Sequence, residues 1–254
     1  MVGEAPEPLR LGIVIPTLDE EERLPRLLAR VAPVAGESDP DRADEVAVVD
    51  GGSRDGTARV AANFRCSFTS AARGRGAQLA HGARQVGGSL LLFLHADCVP
   101  GPGSLTRIRE AFDAGDMQVG ALHQRIEAPG RFYRWVEAAA GARVERFGVV
   151  YGDSGLCVRR SLYEAVGGFG QLPIFEDLDL SRRLRGHSRP RLISGTELCV
   201  SPRRWQQRGP LRCTARNWML FLGYCMGLSP ERLAHYYGAH QSTAPLDPRP
   251  PIES

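Results

Sequence analysis

The stretch "LLLFLHADC", residues 90 to 98, delivers an apolar run into His95, Ala96 and Asp97, an imidazole and a carboxylate separated by one small residue. At the carboxyl end of a buried strand, where open α/β sheets carry their ligands, such a pair can hold a metal ion or move a proton. Asp50 closes "EVAVVD" and meets "GGSRDGT", a glycine turn entering a helix. Free amides there can face phosphate while the carboxylate accepts from ribose hydroxyls. The structural alternative is an Asx turn with Ser53 or Asp55 capping the helix. In "ARGRGAQLAHG", Arg73 and Arg75 sit among glycines before a helix; a guanidinium fork suits diphosphate oxygens, and a solvated basic loop is the alternative. "FEDLDLSRRL" places Glu176, Asp177 and Asp179 in a first helical turn, where carboxylates either complement the dipole or act as a general base. "SPRRWQQRG" joins Arg203 and Arg204 to Trp205, to grip a diphosphate, stack on a sugar, or pack an arginine on a buried indole. His81, His123, His187, His235 and His240 have no metal-site spacing.

These groups need elements that converge. Leu9 to Ile15 reads as a buried strand ended by Pro16, and "DEEERLPRLLARVAPV" as a helix with acids in its first turn. A linker, "AGESDPDRAD", leads to the strand ending at Asp50, a helix, a short strand at "CSFTSA", the arginine-glycine loop with its helix, and the strand before His95. Strands alternating with helices predict an α/β, three-layer sandwich with a mostly parallel central sheet. The groups at Pro16 to Glu20, Asp50 to Asp55 and His95 to Asp97 then share its carboxyl edge. Further on the pattern predicts a helix near Leu105 to Ala114, a strand near Val119 to Ile126 and a helix near Phe132 to Phe147. A strand-like piece with a short helix, the Glu176 helix, a strand pair around Arg191 to Val200 and an apolar helix follow. One domain over residues 1–241 is expected, with a disordered tail over 242–254.

Composition narrows the class. A 254-residue chain that is 43% hydrophobic and 24% charged has enough apolar surface for an ordinary core, and a net charge of +3 argues against a dedicated nucleic-acid binder. The six cysteines form no CxxC pair, so reduced thiols are expected. The N-terminal "MVGEAPEPLRLG" has acids and prolines where a signal peptide needs a basic start, which points to a cytoplasmic protein. "WMLFLGYCMGL", from Trp218 to Leu228, is shorter than the roughly 20 residues that cross a bilayer. Beside Arg212 and Arg216 it can lie on the inner face of the cell membrane, pack on the core, or face a homodimer partner.

In order, these segments resemble the family 2 glycosyltransferases, inverting nucleotide-sugar transferases of the GT-A (Rossmann-like) fold, over about residues 10 to 210. "IVIPTLDEE" resembles the family's opening strand and Pro-x-x-Asn-Glu turn, with Asp19 in place of Asn. "VVDGGSRDGT" is similar to its nucleotide-contacting segment, with Gly51 replacing a second Asp, and Arg75 stands for the lysine of a Gly-Lys-Gly loop. "FLHADC" lies where an Asp-x-Asp metal motif belongs, and "GDSGLCVRRSLYEAVGGF" followed by "FEDLDLSRRL" has the expected spacing. "RRWQQRG" resembles a Gln-x-x-Arg-Trp element with Ser201 in place of Gln. Among members it is most similar to short bacterial single-domain transferases without transmembrane helices.

The resemblance implies a nucleotide-binding half over about 9–100 and an acceptor half over about 101–241. It implies a nucleoside diphosphate sugar bound by Pro16, Thr17, Glu20, Asp50, Gly51 and Ser53 around base and ribose, and by Arg73 and Arg75 at the diphosphate. His95, Ala96 and Asp97 would sit beside the diphosphate, Asp97 binding Mg²⁺ or Mn²⁺. Gly152, Asp153 and Ser154 would border the sugar, with Arg204 and Trp205 nearby. Asp177, next to Glu176, would be the base for an unidentified small-molecule or lipid acceptor. Two rival readings are a sugar nucleotidyltransferase and a catalytically degenerate nucleotide-sugar-binding protein.

Overall fold

The computed structural model describes residues 9–237. In chain order its first half comprises β1 (Leu11–Thr17), α1 (Leu24–Val31), β2 (Glu45–Asp50), α2 (Thr57–Ala61), β3 (Ser67–Ser70), α3 (Arg75–Gln85), β4 (Leu90–Phe93), β5 (Cys98–Pro100) and α4 (Ser104–Asp113). The second half comprises β6 (Val119–Ala121), β7 (Gln124–Ile126), α5 (Arg131–Phe147), a turn of 3-10 helix at Gly152–Ser154, β8 (Leu156–Arg159), α6 (Arg160–Ala165) and α7 (Glu176–Arg185). It ends with β9 (Arg191–Leu192), β10 (Leu198–Val200), α8 (Arg203–Arg208), α9 (Pro210–Cys225) and α10 (Pro230–Tyr237).

A 7-stranded sheet runs β3-β2-β1-β4-β8-β6-β9, and β8 alone is antiparallel to its neighbours. Successive side chains of β1 point to opposite faces. Leu11, Ile13 and Ile15 join Leu24, Leu27 and Leu28 of α1 and Leu105, Ile108 and Phe112 of α4. Val14 joins Leu79 and Ala83 of α3 and Leu180 and Leu184 of α7. Helices therefore cover both faces, which is why β1 reads as continuously hydrophobic. Each such fully buried leucine contributes about 1.5–3 kcal/mol.

The strand expected over Val119 to Ile126 divides. β6 lies in the large sheet and β7 in a 3-stranded sheet ordered β5-β10-β7. Between them the Leu122 amide donates to the Ser154 carbonyl and the His123 carbonyl accepts from Leu198, so the chain crosses from one sheet to the other. The expected pair around Arg191 to Val200 divides likewise: β9 joins β6 and β10 joins β5 and β7. The acids expected in the first turn of α1 precede it, because α1 begins at Leu24 and has no acid in that turn. Among the described residues no helix is long and apolar enough to cross a membrane. The tail over 242–254 lies outside the described residues.

Where the strand order reverses, β1 stands between β2 and β4. The Leu94 amide donates to the Val14 carbonyl, so Val14 addresses β4. Pro16, two residues on, faces the same side and has no N–H to offer. Pairing with β4 stops at Val14–Phe93, while pairing with β2 continues to Thr17–Asp50. A crevice opens there between the two strand ends, at the position where doubly wound sheets bind ligands.

Close packing of α3 on this edge depends on Gly82: a Cβ would lie 2.3 Å from Val14 Cγ1 and 2.8 Å from Val49 Cγ2. Gly82→Ala should cost about 1–3 kcal/mol through overpacking, read as a lower midpoint in denaturant unfolding; an unchanged midpoint would contradict this packing.

Candidate active site

Asp50 is buried at the end of β2. Its Oδ2 accepts from the amides of Gly52 and Ser53, each at 2.9 Å, and its Oδ1 from the Ser53 hydroxyl and, at 3.3 Å, from Thr17 Oγ1. Three donors from its own loop, and a Thr17 hydroxyl shared with the Val49 carbonyl, hold the carboxylate, so Asp50 shapes the turn. Gly51 faces a residue that sequence reasoning missed: buried Gln78 of α3 donates from Nε2 to the carbonyls of Thr17 at 2.9 Å and Val49 at 2.8 Å. A Cβ at position 51 would come within 3.1 Å of that amide nitrogen. No sequence signal separates this glutamine from a surface one.

The acids after β1 latch two loops together. Asp19, at φ 55°, donates its amide to Ser53 Oγ at 2.9 Å and accepts from the Arg54 amide at 2.7 Å. Glu21 accepts from the Gly56 amide at 2.7 Å, and its own amide donates to Asp55 Oδ2 at 3.0 Å. Asp55 also accepts from the Thr57 amide at 3.0 Å, the expected Asx turn. The loop amides draw these carboxylates because they have no helical partner. Glu20, between them, pairs with Arg23 at 3.1 Å. Burial raises its carboxyl above the ordinary value and the charge of Asp97 acts the same way, against Arg23 and Arg203.

Beyond β4 the Cys98 amide donates to the His95 carbonyl at 3.0 Å, closing a turn that gathers His95, Asp97 and Cys98. One ligand atom from each lies within 4.8 Å of the others. This nitrogen, oxygen and sulfur set fits a divalent cation. Across the crevice, the His95 ring lies against Gly152, where a Cβ would sit 2.3 Å from Nε2. The Gly152 amide donates to Asp177 Oδ2 at 2.8 Å.

Glu176 and Asp177 open α7 after Phe175, which adopts φ 64° with its ring 5.1 Å from that of Tyr224. Glu176 is buried and pairs with Arg75 Nε at 2.8 Å, while its Oε2 has no hydrogen-bond partner. Asp177, partly exposed, takes the Leu178 amide on Oδ1 at 2.7 Å. Desolvation and then the Glu176 charge push its carboxyl up to about 6, against Arg75 and the Gly152 amide. Asp179 is drawn away into an ion pair with Arg183 at 2.6 Å. Ser154 is buried, accepts from Arg143 Nη2 at 3.1 Å, and has Asp153 beside it; Arg143 itself lies 3.9 Å above the Tyr151 ring.

The structure thus brings Pro16, Thr17, Glu20, Asp50, Gly51, Ser53, Arg75, His95, Ala96, Asp97, Gly152, Asp153, Ser154, Glu176 and Asp177 around one edge. Arg73 is exposed in its loop. Trp205 is only 9% exposed and meets Tyr133 edge-on at 6.2 Å, within the core. The side chain of Arg204 lies outside those described.

Comparison with known proteins identifies the family and the fold. The sequence profile of glycosyl transferase family 2 matches residues 12–165, more than half of the chain. Residues 1–349 of S. aureus TarS superpose with a TM-score of 0.60 at 14% identity, over 89% of this chain and 68% of that one. The same TarS piece in complex with UDP-GlcNAc gives 0.61 at 15%, over 76% and 58%. Glucosyl-3-phosphoglycerate synthase from Mycobacterium tuberculosis, with Mn²⁺ and UDP-glucose, gives 0.53 at 22%, over 76% and 70%. The chain thus spans 58% to 68% of the TarS 1–349 chains it matches and 41% of the longer TarS chain. No curated protein matches the sequence. The fold is that of the GT-A glycosyltransferases.

The raised carboxyl of Asp177 has a measurable consequence. Between 3.8 and about 6 the folded state binds a proton that the unfolded state has released, so this residue's contribution to stability falls as pH rises through that window. Melting temperatures of the wild type and Asp177→Asn, compared from pH 4 to 7, should shift in the variant's favour as pH rises; a constant difference would show an ordinary carboxyl.

Proposed function

Because the chain belongs to glycosyl transferase family 2, we propose that it moves a sugar from a nucleoside diphosphate sugar to an acceptor hydroxyl with inversion at the anomeric carbon. The observation that carries this reading is Asp177: a carboxyl pushed up to about 6 at the rim of the crevice, held through Gly152 beside the His95–Asp97 turn. A base so poised is mostly ionised near neutrality and still strong enough to take a hydroxyl proton. In the proposed step Asp177 accepts that proton as the acceptor oxygen bonds to the anomeric carbon. The bond from that carbon to the diphosphate breaks on the opposite face, and the nucleoside diphosphate leaves.

Thr17, Glu20 and Ser53 line the base and ribose side, with Pro16, Asp50 and Gly51 shaping it. Arg73, exposed, and Arg75 are the cations for the diphosphate. Asp97, with His95 and Ala96 beside it, would hold a divalent ion, which when bound neutralises charge on the departing diphosphate. Gly152, Asp153 and Ser154 border the sugar, and Glu176 holds Arg75. Trp205, at the start of the Arg203–Arg208 helix, packs into the core and does not reach the donor as a stacking surface. The TarS and synthase complexes hold UDP-sugars, which makes UDP the first donor base to test. The acceptor is a small molecule or lipid hydroxyl.

Thermal-shift measurement with UDP, GDP, CDP and dTDP, each with Mn²⁺ and with chelator, should single out one nucleotide, because a ligand of the folded state alone raises stability. With the corresponding sugar donor, Asp177→Asn should lower turnover by about 10²–10⁴-fold and keep the nucleotide-induced shift. Loss of both would make the residue structural, and a wild type that binds but never turns over would leave a binding protein.

A further inference from the structure

The turn that ends β4 offers more than a carboxylate. His95, Asp97 and Cys98 place an imidazole nitrogen, a carboxylate oxygen and a thiol sulfur within 4.8 Å of one another. The Cys98 thiol lies 3.6 Å from Asp97 Oδ1 and is itself buried. Two features fix this set. The Cys98-to-His95 backbone bond closes the turn, and the imidazole is seated on Gly152, where even a methyl group would collide with it. A ring seated in this way is already placed, so little rotamer freedom remains to be lost when a ligand arrives. Glu20, its carboxyl raised by burial and also by the charge of Asp97, against Arg23 and Arg203, adds a second negative charge within electrostatic reach of Asp97.

Donor chemistry decides which cation such a set prefers. Mg²⁺ is a hard ion that keeps its waters and takes oxygen ligands in near-ideal octahedral geometry. An imidazole nitrogen suits first-row transition ions, whose affinity for mixed nitrogen and oxygen sites rises from Mn²⁺ towards Co²⁺ and beyond. We propose that His95 is the residue that selects the divalent ion of this crevice, as a direct nitrogen ligand beside Asp97, and that it favours first-row transition ions such as Mn²⁺ and Co²⁺ over Mg²⁺. The inference rests on reading the crevice as the donor site with a cation, and it assigns the identity of that cation to one side chain.

The test uses the full chain and the metals alone, without nucleotide. Calorimetric titration should give Mn²⁺ and Co²⁺ affinities at least about ten-fold above that of Mg²⁺. Electron spin-echo spectra of the Mn²⁺-loaded protein should show modulation from a directly bound imidazole ¹⁴N. His95→Asp, which exchanges the nitrogen for oxygen, should abolish the modulation and bring the Mn²⁺ and Mg²⁺ affinities close together, with an unchanged far-ultraviolet circular dichroism spectrum. Should that variant fail to fold, the spin-echo spectrum of the wild type decides alone. Cys98→Ser should keep the Mn²⁺ preference; its loss would move selection to the thiol and overturn the assignment. Absence of ¹⁴N modulation, or an unaltered metal preference in a folded His95→Asp protein, would also overturn it. These outcomes are separable from the glycosyl-transfer reading: sugar transfer without a nitrogen-bound ion removes only the His95 assignment, and a nitrogen-bound ion without sugar transfer removes only the transfer reading.

Discussion

The missing N–H of Pro16 shapes this site more than any single side chain does. Parallel strands hold together by evenly spaced backbone bonds, and β1, flanked on both sides, would be expected to pair along its whole length. It pairs with β2 as far as Thr17 and with β4 only as far as Val14. The ladder cannot continue past a residue that faces β4 without a donor. Past that point β4 turns away through His95 and Asp97 into β5, while β1 turns through Asp19 and Glu20 towards α1. The crevice follows from a backbone restriction, and the chemistry is carried by whatever each chain places at its exit.

Two adjacent acids at the start of α7 show how environment divides one kind of group into two roles. Glu176 is buried against Arg75, so its charge is neutralised locally and it ties the arginine-glycine loop to the helix. Asp177 points to the crevice and is met by backbone amides, which orient it without supplying a full positive charge. Burial first, and then what remains of the Glu176 charge, hold the Asp177 carboxyl high, while its amide contacts keep it in place. The left-handed backbone at Phe175 is unfavourable for a bulky residue. It is accommodated because the ring is packed on Tyr224, and it sets the direction from which both acids enter.

The sequence made the large sheet legible because its central strands are long and apolar on both faces, a pattern few other structures produce. The small sheet was not legible: its three-residue strands are too short to show a period, and the break between β6 and β7 is set by long-range bonds from Ser154 and Leu198. Site residues divide in the same way. Asp50, Asp97 and Asp177 could be picked out because they follow strands or open a helix. Asp50 is nevertheless held by the amides and hydroxyl of its own turn, an outcome that depends on the rotamer of Ser53. Gln78 was invisible because an amide in an amphipathic helix reads as surface until the strands beneath it are placed. Trp205 read equally as a stacking surface or as a buried indole beneath an arginine, and its burial against Tyr133 favours the second.

Gly152 is where the two halves of the crevice meet. Its Cα hydrogens leave room for the His95 ring, and its amide donates to Asp177. One peptide unit therefore sets the distance between the group proposed to select the cation and the group proposed to take the proton. Neighbouring contacts hold that unit still: Ser181 of α7 both donates to the Val150 carbonyl at 2.9 Å and accepts from its amide at 3.0 Å, and Arg143 bridges the Val149 carbonyl and Ser154 Oγ. A side chain at position 152 could not be absorbed by moving the imidazole alone, because shifting the backbone to relieve that clash would also displace the amide from Asp177. The requirement for glycine here is steric, while the amide contact to Asp177 fixes where the backbone must lie. A single residue thereby couples the metal-facing and acceptor-facing sides of the crevice without touching either ligand through a side chain of its own.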